Sequence, residues 1–258
     1  MKTFRGDLIK LYNHLKKDEP FAFNRFSDGE EFILQNKYLE INDSQVIAGE
    51  TVFNKGFSKE DHKVFDPEKH QWFRERLLQA FYWEQDRYYK GIPCRCCVGE
   101  ERFKYLYNLG NSDKNQYITW ANLLVNGNYS FFIDTFIPEF AKKDVVIICN
   151  HKANIQKLPF KVVKDFRVGD NCMINDYNII EKIKEFTGQT DGNLLYLFSA
   201  SALSKVAIHQ LFKFNNKGFY MDIGTTLNYY LDMSLDRDYL KNKWLGTNYD
   251  MGNRMCIW

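Results

Sequence analysis

The sequence predicts an α/β fold whose sheet is mostly parallel and flanked by helices. Two observations carry this. The run Val145-Val-Ile-Ile-Cys149 is short, apolar and β-branched, the pattern of a strand buried on both faces. Around and after it, strand-like and helix-like segments alternate with short loops between them, as crossover units that build a parallel sheet do. The length of 258 residues gives room for a sizeable core, and residues 1–258 are read as one domain.

The elements follow in chain order. Phe4, Leu8, Leu11, Tyr12 and Leu15 fall on one face of an opening helix, and Pro20 ends it. Phe21–Phe26 reads as a buried strand, and Asp28-Gly-Glu30 opens a short helix through Leu34. Residues 41–65 are polar and read as irregular, with turn signals at Asn42-Asp43 and Asn54–Gly56. A long helix is expected from an Asp66 cap, with Pro67 at its first position and Gly91 at its end. Ile92–Val98 is expected as a strand, and Glu100–Leu109 and Tyr117–Val125 as helices. In the second half, strands are expected at Val145–Cys149, Lys161–Arg167, Leu194–Phe198 and Phe219–Asp222. Helices are expected around Ile179–Phe186 and at Ala202–Phe212.

Composition narrows the class. Lys plus Arg is 35 and Asp plus Glu is 33, a net charge of +2, which lacks the basic excess of a general nucleic-acid binder. No apolar run reaches the ~20 residues of a spanning helix, and the first residues lack the apolar stretch of a signal peptide. A cytoplasmic protein with thiol cysteines is therefore expected. Aromatic residues make up 17% of the chain, and most are assigned to the core.

Ligands of open parallel sheets bind beyond the carboxyl ends of the strands, so the strand–helix junctions hold the candidate chemistry. At the first, Asp28 and Glu30 flank Gly29, which is expected to turn the backbone so that both carboxylates face one point. Two such oxygen ligands with substrate phosphates suit Mg²⁺ or Mn²⁺, and Arg25 just upstream suits a phosphate. The same residues also fit a capping box, Ser27 with Glu30. Ser199, Ser201 and Lys205 stand where a phosphate or ribose meets a helix N-terminus, although an N-cap serine explains the pattern equally well. Asp222 ends a strand and can hold a sugar hydroxyl or act as a base, while Gly224 and Thr225 let a ligand approach the backbone. Asn150 and His151 follow the strand at 145–149. There is no G-x-G-x-x-G and no G-x-x-x-x-G-K-[ST], so the usual dinucleotide and P-loop readings fail. Cys94-Arg-Cys-Cys97 lacks the two spaced pairs of a structural zinc site. On a strand, alternation sends Cys96 and Cys97 to opposite faces, and buried thiols are expected.

Taken together these junctions resemble the GT-D-fold glycosyltransferases, first described as a bacterial domain of unknown function. The resemblance rests on Arg25-Phe-Ser-Asp-Gly-Glu30 and on the later strand–loop–helix–strand ending in Asp222-Ile-Gly224, and it spans about residues 21–231. Where that family often has Gly-Pro-Thr, this chain has Ser199-Ala-Ser201, and Thr225 stands after Asp-Ile-Gly where the family has His or Ser. The resemblance implies a Rossmann-like, GT-D-type sheet and metal-dependent transfer of a sugar from a nucleotide-diphosphate sugar, a UDP-sugar first among them. The acceptor would be a hydroxyl of a glycan or glycoconjugate. It assigns Asp28 and Glu30 to a divalent metal, Mn²⁺ or Mg²⁺. Arg25, Ser199, Ser201, Asp222, Gly224 and Thr225 go to the donor; the junctions themselves add Asn150, His151 and Lys205 to that surface and offer Asp222 or Glu31 as the base that deprotonates the acceptor hydroxyl. An oligomer is compatible with the near-neutral charge. The competing readings are an S-adenosylmethionine-dependent methyltransferase, which would want a glycine-rich first junction, and a non-catalytic nucleotide- or carbohydrate-binding module.

Overall fold

The computed structural model describes residues 6–42, 45–53, 61–190 and 193–248, and of Asp28 the backbone only. Phe4, Asp43, the Asn54–Gly56 turn signal and Cys256 lie outside the described residues.

Seven strands form a wholly parallel sheet: β1 (Ala22–Arg25), β6 (Tyr88–Ile92), β7 (Ile118–Trp120), β8 (Val145–Asn150), β9 (Val162–Val168), β10 (Leu195–Phe198) and β11 (Phe219–Asp222). Their spatial order is β7-β6-β1-β11-β10-β8-β9. The first half of the chain supplies β7-β6-β1 and the second half the rest, so the halves meet at the β1/β11 seam. Val145, Val146, Ile147, Ile148 and Cys149 are all at most 1% exposed, as their unbroken apolar run requires. Flanking helices are α1 (Asp7–Lys16), α2 (Asp28–Leu34), α3 (Gln71–Tyr82), α4 (Arg95–Val98), α5 (Glu100–Leu109), α6 (Tyr129–Phe131), α7 (Ile137–Phe140), α8 (Cys172–Asn175), α9 (Ile179–Gly188), α10 (Leu203–Phe214) and α11 (Asp238–Leu245). Helix α10 lies against β1 and β11 at the seam, with α3 and α9 beside it. Its Leu203, Val206, Ala207, Ile208 and Leu211 are buried.

A second, antiparallel sheet takes up much of the region expected to be irregular. Its strands are β2 (Leu39–Ile41), β3 (Val46–Ala48), β4 (Thr51–Phe53) and β5 (Lys63–Phe65), in the order β4-β3-β2-β5. Leu39, Ile41, Val46, Ala48 and Phe65 join the same continuous core as the main sheet.

Three expectations in the first half are corrected. The long helix is only α3, which starts after His70. Asp66 instead organises the turn before it, accepting from the His70 and Glu68 amides. After Tyr82 the chain leaves the helix, passes through the polar Glu84–Arg87 and becomes β6, where Gly91 is a strand residue: a Cβ there would lie 2.8 Å from Ala121 Cα and 2.9 Å from Trp120 O on β7. The segment 117–125 is β7 followed by turns, because Ile118, Thr119 and Trp120 pair with β6. The Cys94–Cys97 segment is α4 and its cap, so strand alternation does not apply to it.

Candidate active site

Every strand of the parallel sheet delivers residues from its carboxyl end to one cleft of about 850 Å³. Arg25 comes from β1, Pro93 from β6, Ala121 and Asn122 from β7, Asn150 from β8, Gly169 from β9, Ser199 from β10 and Asp222 from β11. Its size is that of a small-molecule or cofactor site, and its position at the seam is where open α/β sheets bind ligands.

Arg25 donates from Nε to the Ala121 carbonyl at 2.5 Å, which fixes its guanidinium in the cleft. Gly224 stands against it with φ +51°, and a Cβ at that position would come within 2.6 Å of Arg25 Nη1. Glycine is thus required twice, for the left-handed backbone and for the space. Glu30 closes the capping box with one carboxylate oxygen and reaches the cleft with the other. Its Oε2 accepts from the Ser27 amide at 2.9 Å, closing the capping box. Its Oε1 lies 3.6 Å from the Lys205 ammonium in the cleft. Gly29 is inside the first turn of α2 rather than at a sharp turn. Asp28 opens the same helix, and its side chain lies outside the described residues.

Lys205, in the first turn of α10, joins the two halves of the site. Its Nζ is 2.8 Å from Asp222 Oδ2 and donates to the Ser201 carbonyl at 3.1 Å. Lys205, Glu30 and Asp222 are 5%, 3% and 2% exposed, so this is a buried charge cluster whose carboxylates depend on the ammonium. Asp222 Oδ1 accepts from the Gly224 amide. Oδ2 touches Lys205 but has no aligned hydrogen bond, an unsatisfied buried acceptor facing the cleft.

Ser199 and Ser201 line the cleft and are not helix caps: Ala202 is the N-cap residue of α10. Ser201 has φ +47°. Its hydroxyl donates to Asp61 Oδ1 and accepts from Lys63 Nζ, both at 2.8 Å. Burial pushes the Asp61 carboxyl up, but Lys63 and the Ser201 hydrogen bond outweigh it and hold it below its ordinary value. Thr225 shares a hydrogen bond with Tyr239 at 2.6 Å, tying the cleft to α11.

The structure separates two expected residues from the cleft. His151 is exposed beside the sheet end, its Nδ1 3.3 Å from the Val168 carbonyl. Glu31 is fully buried and pairs instead with Arg102 at 2.7 Å and Gln35 at 2.7 Å, so of the two carboxylates read as the base only Asp222 lines the cleft. Residues the sequence reading passed over take their place: Asp61, His62 and Lys63 at β5, Asn122 after β7, and Arg237, Tyr239 and Lys241 around α11. Lysine at 63, on the same face of a short strand as the buried Phe65, was the available signal for the first group.

Comparison with solved structures agrees with this architecture. One matching structure is described as showing that "the highly conserved domain of unknown function 1792 has a distinct glycosyltransferase fold". It matches with a TM-score of 0.58 and 13% identity, covering 95% of this chain and 83% of its own. The chain has that glycosyltransferase fold. A selenomethionine structure of the same domain of unknown function matches equally, with a TM-score of 0.58 and 14% identity over 95% of this chain and 83% of that one. A structure described as a new glycosyltransferase from Streptococcus sanguinis matches with a TM-score of 0.53 and 14% identity, over 85% of this chain and 80% of that one. No protein-family model and no curated protein matches the sequence. Among the described residues no helix is long and apolar enough to cross a membrane.

Proposed function

We propose that the protein is a metal-dependent glycosyltransferase that moves a sugar from a nucleotide-diphosphate sugar to a hydroxyl of a glycan or glycoconjugate. The observation that carries this reading is the convergence of Arg25, Glu30, Lys205 and Asp222 in one cleft at the seam of a glycosyltransferase-type sheet.

The residues present suit a hard divalent cation. Glu30 Oε1 is left over from the capping box and turned toward the cleft, and the Asp222 Oδ2 acceptor lacks a hydrogen bond. One or two carboxylates with substrate phosphates is the usual donor set for Mg²⁺ or Mn²⁺. Glu30 would hold the ion with Asp28, whose place in the sequence motif assigns it the same role. When bound, the ion supplies positive charge to the diphosphate as it leaves.

Arg25 is held by Ala121 so that its guanidinium can meet a phosphate with little further ordering. Lys205 holds Asp222 in place from α10. Asp222 is assigned to the acceptor: its Oδ2 can accept a hydrogen bond from the attacking hydroxyl and take its proton. Asn150, Ser199 and Thr225 line the remaining donor surface, and the α11 side of the cleft, with Arg237 and Lys241, receives the acceptor.

The test is a thermal-shift and donor-hydrolysis screen with UDP-sugars and other nucleotide sugars, each with Mn²⁺, Mg²⁺ or EDTA, on wild type and Asp222→Asn. One donor should stabilise the protein with metal and slowly release its nucleoside diphosphate, and Asp222→Asn should keep the shift and lose turnover. Turnover that persists in EDTA would remove the metal from the reading. No shift and no turnover with any donor would remove the transferase.

A further inference from the structure

Three thiols gather at the wall of the cleft, outside the machinery above. Cys94 is the N-cap residue of α4, and Cys96 and Cys97 follow in its single turn. That turn brings all three sulfurs within 4.8 Å of one another. Cys94 Sγ is 2.8 Å from Cys96 Sγ and 3.4 Å from Cys97 Sγ. Neither distance is that of a disulfide, about 2.05 Å, and thiols gain little from each other because sulfur is both a weak donor and a weak acceptor. An ion in tetrahedral geometry, with Zn–S bonds of about 2.3 Å, places its sulfurs about 3.8 Å apart. The separations in the cluster, from 2.8 Å to at most 4.8 Å, bracket that value.

Two neighbouring features point the same way. The Asn122 side-chain amide donates to Cys94 Sγ at 3.4 Å and reaches Cys97 Sγ at 3.9 Å. Amide donors around coordinating sulfur are a common outer shell, since they support the negative charge of the thiolate. Cys94 is buried while Cys96 and Cys97 are exposed, so an ion has both an anchor and a way in. Cys149 and Cys172 lie outside the cluster, and burial pushes their thiols up to about 11 and about 12.

We propose that Cys94, Cys96 and Cys97 form a thiolate site for a zinc-like divalent cation, separate from the carboxylate site at Glu30. Binding releases the thiol protons to solvent as the metal–sulfur bonds form. Among the described residues the group holds these three ligands and no fourth His, Cys, Asp or Glu. Because Pro93, Cys97 and Val98 line the cleft, the ion would staple the turn after β6 and so fix that wall.

The experiment uses the full chain, reduced, freed of metal and without donor, titrated with Co²⁺ and then Zn²⁺. The expected result is about one Co²⁺ per chain with a sulfur-to-cobalt charge-transfer band in the near ultraviolet, displaced by Zn²⁺. Zn²⁺ should also raise the unfolding temperature. The exposed-residue variants Cys96→Ser and Cys97→Ser should each weaken Co²⁺ binding at least about tenfold, while Asp222→Asn keeps the band. A reduced wild type without the charge-transfer band overturns the proposal whatever the variants do. So does a band that survives the Cys96→Ser, Cys97→Ser double variant.

Discussion

Replacing Lys205 by Met tests the buried charge cluster at the centre of the site. The ammonium lies 2.8 Å from Asp222 Oδ2 and 3.6 Å from Glu30 Oε1. With an effective dielectric of about 20, the gross attraction is roughly 10 kcal/mol over the two pairs. Much of that is offset by the cost of taking the ammonium and both carboxylates out of water. What the variant exposes is the remaining asymmetry: two carboxylates, each at most 3% exposed, without their counter-ion. Removing one partner of such a cluster costs about 3–5 kcal/mol, which for a chain of this size is a fall of roughly 10 °C in unfolding temperature. Urea unfolding at neutral pH measures it. Two companions separate charge from packing. Lys205→Met combined with Asp222→Asn should recover most of the loss, because a neutral amide no longer needs the cation. Mn²⁺ should stabilise Lys205→Met more than wild type, because the ion can take over the vacated charge. A single variant within about 1 kcal/mol of wild type would refute the reasoning, since that is the range of an exposed ion pair.

Gly224→Ala should cost about 1–2 kcal/mol from its left-handed backbone alone, and it should weaken donor binding more than stability, because the new methyl group displaces Arg25; calorimetric titration of wild type and variant with the donor compares the two effects. Gly91→Ala meets backbone atoms of Trp120 and Ala121 rather than a side chain that could move aside, so it should destabilise by about 1–3 kcal/mol in thermal unfolding. His209 is buried against Trp83 and Tyr88, and burial, with Lys213, Arg76, Lys184 and Lys90 adding to it, lowers its pKa to about 4. The folded state therefore disfavours the proton that the unfolded chain accepts near pH 6.5. Stability should fall as pH drops from about 6.5 to about 4, by up to roughly 3 kcal/mol. His209→Leu should flatten that part of the curve in urea midpoints taken at neutral and acid pH.

The second half of the chain was legible because β8, β10 and β11 are apolar runs ended by polar junctions, and the same rule located Asn150, Ser199, Lys205 and Asp222 in the cleft. The first half was not, for three physical reasons. The run from Trp83 to Tyr88 holds four polar residues, Glu84 to Arg87, between aromatic ones and no Gly or Pro, so it suits a solvated helix face as well as a turn, and the break between α3 and β6 is invisible in it. The strands of the small sheet are only three residues long, too short for alternation to show. Lys63 meets Ser201 across 138 positions of sequence, and no local pattern announces a contact of that range. The cysteines were misread for one reason: the period of 2 was applied to a segment that forms a helical turn.

The charge of the cleft explains why donor and metal should bind together. Among its described lining residues are five basic side chains, Arg25, Lys63, Lys205, Arg237 and Lys241, and five acidic ones, Glu30, Asp61, Asp222, Asp236 and Asp238. Lys63 and Lys205 are each already paired with acids, Asp61 for the first, Glu30 and Asp222 for the second. A nucleotide diphosphate entering alone brings negative charge to a balanced site, and a divalent ion entering alone faces Lys205. Entering together they add almost no net charge. Each should therefore raise the affinity for the other, and by the same factor, because the coupling free energy is reciprocal. A coupling of 1–3 kcal/mol corresponds to roughly 5–150-fold. Titrating Mn²⁺ with and without donor, and donor with and without Mn²⁺, gives the two factors. Equal factors within that range support a charge-coupled site. Donor affinity unchanged by Mn²⁺ would mean that Arg25 and Lys205 alone carry the diphosphate, and that the carboxylates of the first junction serve the helix cap and the lysine.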